Sequence, residues 1–246
     1  MRGIPSFRTA ASRPDRPAAR VAAQIALTAL SGLALIAATR AVLAADAVGM
    51  AVAMLAFLLA CGLVADRMRH GYPHDRIGGC NVVTLLRAAL VCALLMPLAA
   101  GRPAGWAVAG VAGLALVLDG LDGALARRSG LASRLGARFD IEVDAALALI
   151  LALHIIAGTA VGAEILVLGL TRYAFEAAGL AWPWLRADLP DRRWRKAICV
   201  VQIATLILLQ TPLPDRDQAI PLARLAALLL VASFAVDIRW LWRHRP

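Results

Sequence analysis

Eight apolar runs divide the chain, at about 21–43, 47–65, 82–100, 105–125, 140–160, 163–181, 197–213 and 219–241. Each is near the roughly 20 residues that a helix needs to cross a hydrocarbon layer. Such runs leave a chain few choices. In lipid every backbone N–H and C=O must be satisfied internally, so the runs are expected to be helices. Hydrophobic residues make up 61% of the 246 positions, more than the core of a soluble domain this size can hide. The expected class is an all-α, polytopic membrane protein, with room for one membrane domain and little else.

Most of the arginines fall between the runs. The net charge of +10 is almost wholly arginine, Lys196 being the one lysine. A basic chain often points to nucleic acid, but cations placed between apolar runs follow the positive-inside rule and suit anionic lipid headgroups instead. No nucleic-acid partner is expected. With the N-terminus in the cytoplasm, the loops around 66–80, 126–138 and 186–196 lie inside and carry most of the arginines. The outside turns hold only Arg40, Arg102 and Arg216. The expected location is a bacterial inner membrane. Residues 1–20, rich in arginine and proline, read as a disordered cytoplasmic tail. The first apolar run is long for a signal peptide and reads as an uncleaved helix, despite the Val42-Leu43-Ala44 segment that resembles a cleavage site. Cys61, Cys80, Cys92 and Cys199 are scattered and read as small apolar residues rather than a disulfide or metal framework. His70 and His74 stand four apart, but Gly71 and Pro73 between them argue for a solvated loop.

Against this apolar background stands the segment Asp119 to Asp144. Asp119 and Asp122 are spaced i, i+3, and Asp140 and Asp144 i, i+4, so each pair shares a helix face. Carboxylates at the end of, or inside, an apolar span are costly unless neutralised, and such acids mark functional sites. Four converging carboxylates suit a hard divalent cation. The full pattern is Asp119-x2-Asp122-Gly123-x2-Ala126-Arg127-x8-Gly136-x3-Asp140-x3-Asp144. It resembles the hallmark motif of the CDP-alcohol phosphotransferase family at all eight fixed positions, without a gap. Upstream, Asn81, Thr84 and Arg87 match an N-x2-T-x2-R pattern with which family members often begin their first core helix. The resemblance covers about residues 81–241.

The resemblance implies a six-helix core (81–246), here preceded by two extra transmembrane helices and a cytoplasmic loop (21–80). It implies transfer of a phosphatidyl or other substituted phosphoryl group from CDP-diacylglycerol or another CDP-alcohol to an acceptor alcohol, releasing CMP, in phospholipid biosynthesis. Two divalent ions, Mg2+ or Mn2+, are the implied cofactors. By the same resemblance Asp119, Asp122, Asp140 and Asp144 are metal ligands, and Asp144 is also the general base. Gly123, Ala126, Arg127 and Gly136 would bind the nucleotide. For the glycines, helix packing is the plainer alternative, and for Arg127 a cytoplasmic anchor. Asn81, Thr84 and Arg87 are candidate substrate-binding residues; a helix cap and a snorkelling arginine would explain them equally well. Arg172 either binds a headgroup or acceptor phosphate, or pairs with Glu176 at i+4. The run 191–196 reads as a positive-inside loop, and Asp237 as interfacial. Family members commonly form homodimers, so a second copy of the chain is among the expected partners.

Two other classes use intramembrane acids. A magnesium-diphosphate prenyltransferase has aspartate-rich motifs of different spacing, without the Gly-x2-Ala-Arg to Gly-x3-Asp linkage. A non-catalytic scaffold or transporter needs no such complete motif. The acceptor stays open. The segment from Gly136 to Asp144 lacks the Leu-Asp-Pro of bacterial phosphatidylglycerophosphate synthases and carries Glu142 instead. Serine, inositol phosphate, glycerol phosphate, choline and a second lipid are all candidates.

Overall fold

The computed structural model describes residues 16–245 apart from 73, 75, 103–104, 130–132, 160 and 191; the side chains of 16–19, 70–71, 122–129, 134 and 193 are also left out of the description. The described residues form helices and no strand. In order these are α1 (Arg16–Thr39), α2 (Ala47–Gly71), α3 (Gly79–Ala93), α4 (Leu95–Ala99), α5 (Trp106–Ser129), α6 (Arg134–Gly158), α7 (Leu166–Ala181), α8 (Arg193–Leu208) and α9 (Arg216–Arg243). Each apolar run of the sequence has its helix. Several boundaries differ from expectation: α5 runs on to Ser129 and α6 begins at Arg134, so much of the expected 126–138 loop is helical, and α8 begins at Arg193, inside the expected 186–196 loop. Helix α1 begins at Arg16, so the last five residues of the expected tail are helical, and residues 1–15 lie outside the described ones. Helix α2 runs on to Gly71, so the first six residues of the expected 66–80 loop are also helical.

Local chemistry accounts for the ends. Asp46, Ser133 and Asp215 each cap a helix by accepting a hydrogen bond from the backbone N–H three residues on, at 2.7, 3.0 and 3.0 Å. Gly101 takes φ +62°, a left-handed turn that suits a residue without Cβ. The break between α3 and α4 has its cause in Pro97, which cannot donate to the Ala93 carbonyl. The buried His154 of α6 lies 2.8 Å, through Nε2, from the carbonyl oxygen of Leu94 at that break.

Among the described residues, five helical stretches are long and apolar enough to cross a membrane: Arg20–Thr39, Ala47–Arg69, Gly79–Ala99, Leu135–Gly158 and Arg216–Arg243. Trp106–Leu121 is apolar but shorter. The outer faces of α1, α2 and α9 expose Leu27, Leu30, Leu55, Leu59, Leu225 and Leu228. Such faces would be a liability in water but match acyl chains. This is an integral membrane protein.

Helix α3 is the centre. It packs against α1, α2, α5 and α6. The span Gly79–Ala99 is 61% buried, against 28% for the α1, α2 and α9 spans, so α3 is the helix the others surround. Ala88, Ala89 and Ala93 keep its sides slim and let its neighbours approach. The two N-terminal helices are therefore docked on the core. Gln24 of α1 accepts a hydrogen bond from the backbone N–H of Ile77, just before α3, at 2.7 Å. Gly32 of α1 faces the ring of Phe57 on α2, and a Cβ at Gly32 would come closer than 3.0 Å to it. Phe57 is fully buried and has nowhere to go.

Gly32→Ala should therefore lower stability by about 1–3 kcal/mol through overpacking. Thermal unfolding in detergent measures this, and adding Phe57→Leu should restore part of the loss.

Candidate active site

The site lies where α3, α5 and α6 meet. Asp119 is near the end of the apolar part of α5. Asp140 and Asp144 are in the first half of α6, one turn apart, and face the same way. Ser133 starts α6 by capping Gly136 N–H, which sets the helix phase for both aspartates. On the facing side, Arg87 of α3 reaches in. Its Nη1 lies 2.9 Å from Asp119 Oδ1 and also pairs with Asp140 Oδ1, while Nη2 pairs with Asp144 Oδ1. Arg87 is 0% exposed, whereas the three carboxylates are 29%, 32% and 37% exposed. The arginine is thus the floor of the site and the aspartates open from it.

One oxygen from each of Asp119, Asp140 and Asp144 can be chosen so that all three lie within 4.8 Å of one another. Carboxylate oxygens at that spacing are the donors that Mg2+ and Mn2+ prefer. The three acids and Arg87 together carry two net negative charges, which also favours a divalent cation. The donor set fits a divalent cation of the kind that the resemblance implied.

The sequence-predicted residues do not all gather here. Asp119, Asp140, Asp144 and Arg87 are brought together. The backbone of α5 carries Asp122, Gly123, Ala126 and Arg127 in the turns after Asp119, but their side chains lie outside the described residues. Thr84 is buried one turn before Arg87, and its hydroxyl donates to the Cys80 carbonyl at 2.9 Å. Arg87 does not snorkel; it turns into the protein. Asn81 is not the cap of α3, since Gly78 holds that position. Its amide Nδ2 instead donates to the Tyr72 hydroxyl at 3.0 Å, and Gly78 N–H approaches the same oxygen at 3.4 Å.

Arg172 stands apart from the aspartates. Its Nη2 lies 2.9 Å from both Glu142 and Glu176, tying α6 to α7. Glu142 is two residues from Asp140 and from Asp144, about 200° around the helix, so this pairing is on the far side of α6. Asp237 also differs from the interfacial reading. Its side chain is 6% exposed; its Oδ1 accepts a hydrogen bond from Arg195 Nη2 at 3.0 Å and its Oδ2 lies 2.9 Å from Arg195 Nε, an ion pair that pins the start of α8 to α9. Cys61 and Cys80 are buried as expected, while Cys199 is exposed; all four cysteines are free.

Two contributors were missed in the sequence. Ser133 had a signal, as a capping residue just before an apolar run. Tyr72 had none, because its partner Asn81 is met only in the fold. Gly136 gains a physical reason at the same place. Its missing side chain makes room for Asn81, whose Oδ1 would lie closer than 3.0 Å to an added Cβ. Tyr72, Asn81 and Gly136 thus form a chain of contacts that sets α6 against α3, just ahead of the aspartates.

Gly136→Ala should push α6 off Asn81 and cut activity at least tenfold, a size in keeping with displacements of about 1 Å near a reaction site. Asn81→Ala in the same chain should recover part of it. Steady-state kinetics on the single and double variants check both.

The comparison with known families is consistent with this geometry. The family model described as CDP-alcohol phosphatidyltransferase matches residues 79–238. The match begins at the first residue of α3 and includes every aspartate of the motif. Among curated proteins and among solved structures, none matches the chain.

Proposed function

The chain belongs to the CDP-alcohol phosphatidyltransferase family, and from that premise we propose that it moves a phosphatidyl or related substituted phosphoryl group from CDP-diacylglycerol or another CDP-alcohol to an acceptor alcohol, releasing CMP. The observation that carries this reading is the convergence of Asp119, Asp140 and Asp144 from two helices onto one point. These are motif positions far apart in the chain, brought within reach of one ion and of one another.

In the proposed reaction the acceptor hydroxyl attacks the β-phosphorus of the CDP-alcohol. A new P–O bond forms, the bond to the CMP oxygen breaks, and the hydroxyl proton passes to a carboxylate oxygen of Asp144. Asp144 suits the role of base because it is the most exposed of the three carboxylates and so can meet an incoming acceptor. Asp119, Asp122 and Asp140, with Asp144, would hold the divalent ions. When bound, these ions supply electrostatic stabilisation of the charge that grows on the phosphoryl oxygens and the departing CMP. Arg127, by its motif position, is assigned to the donor's phosphates, where a guanidinium can bind in bidentate fashion. Gly123 and Ala126 leave the α5 backbone open to the nucleotide, and Gly136 serves it by keeping α6 against α3. Asn81, Thr84 and Arg87 form the α3 wall of the substrate site. Arg172, which pairs with Glu142 and Glu176, is the candidate for the acceptor or a headgroup.

The match over residues 79–238 supports a core that begins near residue 81; the basic tail and two additional helices before it, and a role in phospholipid synthesis, are part of the proposal. The arginine-rich loops support a cytoplasmic site in an inner membrane. The family's habit of pairing makes a homodimer the working assembly.

The purified protein, given CDP-diacylglycerol, Mg2+ or Mn2+ and a panel of alcohols, should release CMP with one acceptor. Asp144→Asn should reduce that release by at least a hundredfold, in line with loss of a general base, and EDTA should abolish it. Release that persists in both would rule out the proposed mechanism.

A further inference from the structure

We propose that Arg87 is a built-in counter-cation for the aspartate site, one that holds the carboxylates together without metal and gives them up when a divalent ion binds. The inference rests on the metal-dependent reading above and concerns how that site is loaded.

Three observations support it. First, Arg87 is completely buried, in the most enclosed of the five membrane-length spans among the described residues. A guanidinium there must be paired, because an isolated buried charge is strongly unfavourable. Second, the three acids that form the candidate ion site are all among its partners. Nη1 meets Asp119 and Asp140, and Nη2 meets Asp144. Third, the fork of the guanidinium draws in one Oδ1 from each of the three carboxylates, which lie close enough together to share an ion. Those oxygens would otherwise repel one another across a few ångströms of low-dielectric interior.

The arginine and a divalent cation therefore answer the same electrostatic demand. They also oppose each other, since a positive charge fixed beside the carboxylates raises the free energy of an ion placed there. For a carboxylate oxygen to face an ion squarely, its hydrogen bond from Arg87 must lengthen or turn. Occupancy by the arginine and by the metal are thus negatively coupled, and such coupling is reciprocal. An arginine that merely tied three helices together would not have this property. Its loss would weaken the fold equally with and without metal.

The test uses the purified full-length protein in detergent, without nucleotide or acceptor. Mn2+ binding is followed by the spin-resonance signal of free Mn2+, and thermal unfolding is recorded in EDTA and in saturating Mg2+. In Arg87→Gln the competitor is gone, and Mn2+ should bind about ten- to a hundredfold more tightly than in the wild type, within the range of ordinary coupling between sites. The same variant should melt earlier than wild type in EDTA and regain most of the difference in Mg2+. Arg87→Lys keeps the charge and should bind Mn2+ within a few-fold of wild type. Equal or weaker Mn2+ binding in Arg87→Gln overturns the proposal. So does tightening in Arg87→Lys as large as in Arg87→Gln, or an Arg87→Gln protein that stays unfolded in saturating Mg2+. The metal reading itself is judged separately, by wild type and Asp140→Asn. If wild type binds no Mn2+, or Asp140→Asn binds it as well as wild type does, that reading fails and this inference falls with it.

Discussion

The contact of one buried arginine with three aspartates is the interaction on which the rest of the structure depends. Arg87 brings a full charge into the centre of a bundle whose other interior residues are mostly apolar, and Asp119, Asp140 and Asp144 bring three more. The fully buried guanidinium could not stay ionised alone, and the partly exposed carboxylates beside it supply the balancing charge. Together they form a cluster that fixes the rotation of α3, α5 and α6 about their axes. A turn of any one helix by a single residue, about 100°, would carry its charge away from the others and toward apolar side chains. The apolar packing sets which helices touch; this cluster sets which faces they present.

The helices around the cluster act as its mounting. Helix α3 lies at the centre, its alanines admitting α1 and α5 closely, and α1 and α2 cover the side that would otherwise meet lipid. The N-terminal pair lies outside the family match, yet Gln24 holds the backbone at Ile77 and Tyr72 holds Asn81. Both contacts fall at the start of α3, two turns before Arg87. The pair therefore contributes to the placement of the site without supplying a residue to the aspartate cluster. On the other flank, Arg172 with its two glutamates and Arg195 with Asp237 tie α6 to α7 and α8 to α9. Ion pairs partly shielded from water add directionality where apolar contact alone would let helices slide.

Much of this was legible in the chain. The eight apolar runs reappear as helices because a membrane-length apolar segment has one way to satisfy its backbone. The aspartate spacing placed Asp140 and Asp144 on a single face for the same local reason. Where the reading went astray, the cause was a partner distant in sequence. Asn81 at the start of an apolar run looks like a cap, but Tyr72 and Gly136 claim it. Asp237 near the end of α9 looks interfacial, but Arg195 draws it inside. Arg172 seemed to choose between Glu176 and a ligand, and the fold adds Glu142 as a second carboxylate from another helix.

By itself, then, the sequence determined the helical class, the approximate spans and the motif that marks the family. All of these are written in short-range periodicity and spacing, which a helix converts directly into faces and lengths. Only the tertiary structure decided that Arg87 points into the aspartates rather than out to the headgroups, and that Gly136 makes room for Asn81. Those outcomes depend on how α3 is wedged between α5 and α6. No local pattern encodes that wedge, because it arises when separate helices pack and their buried charges must find one another.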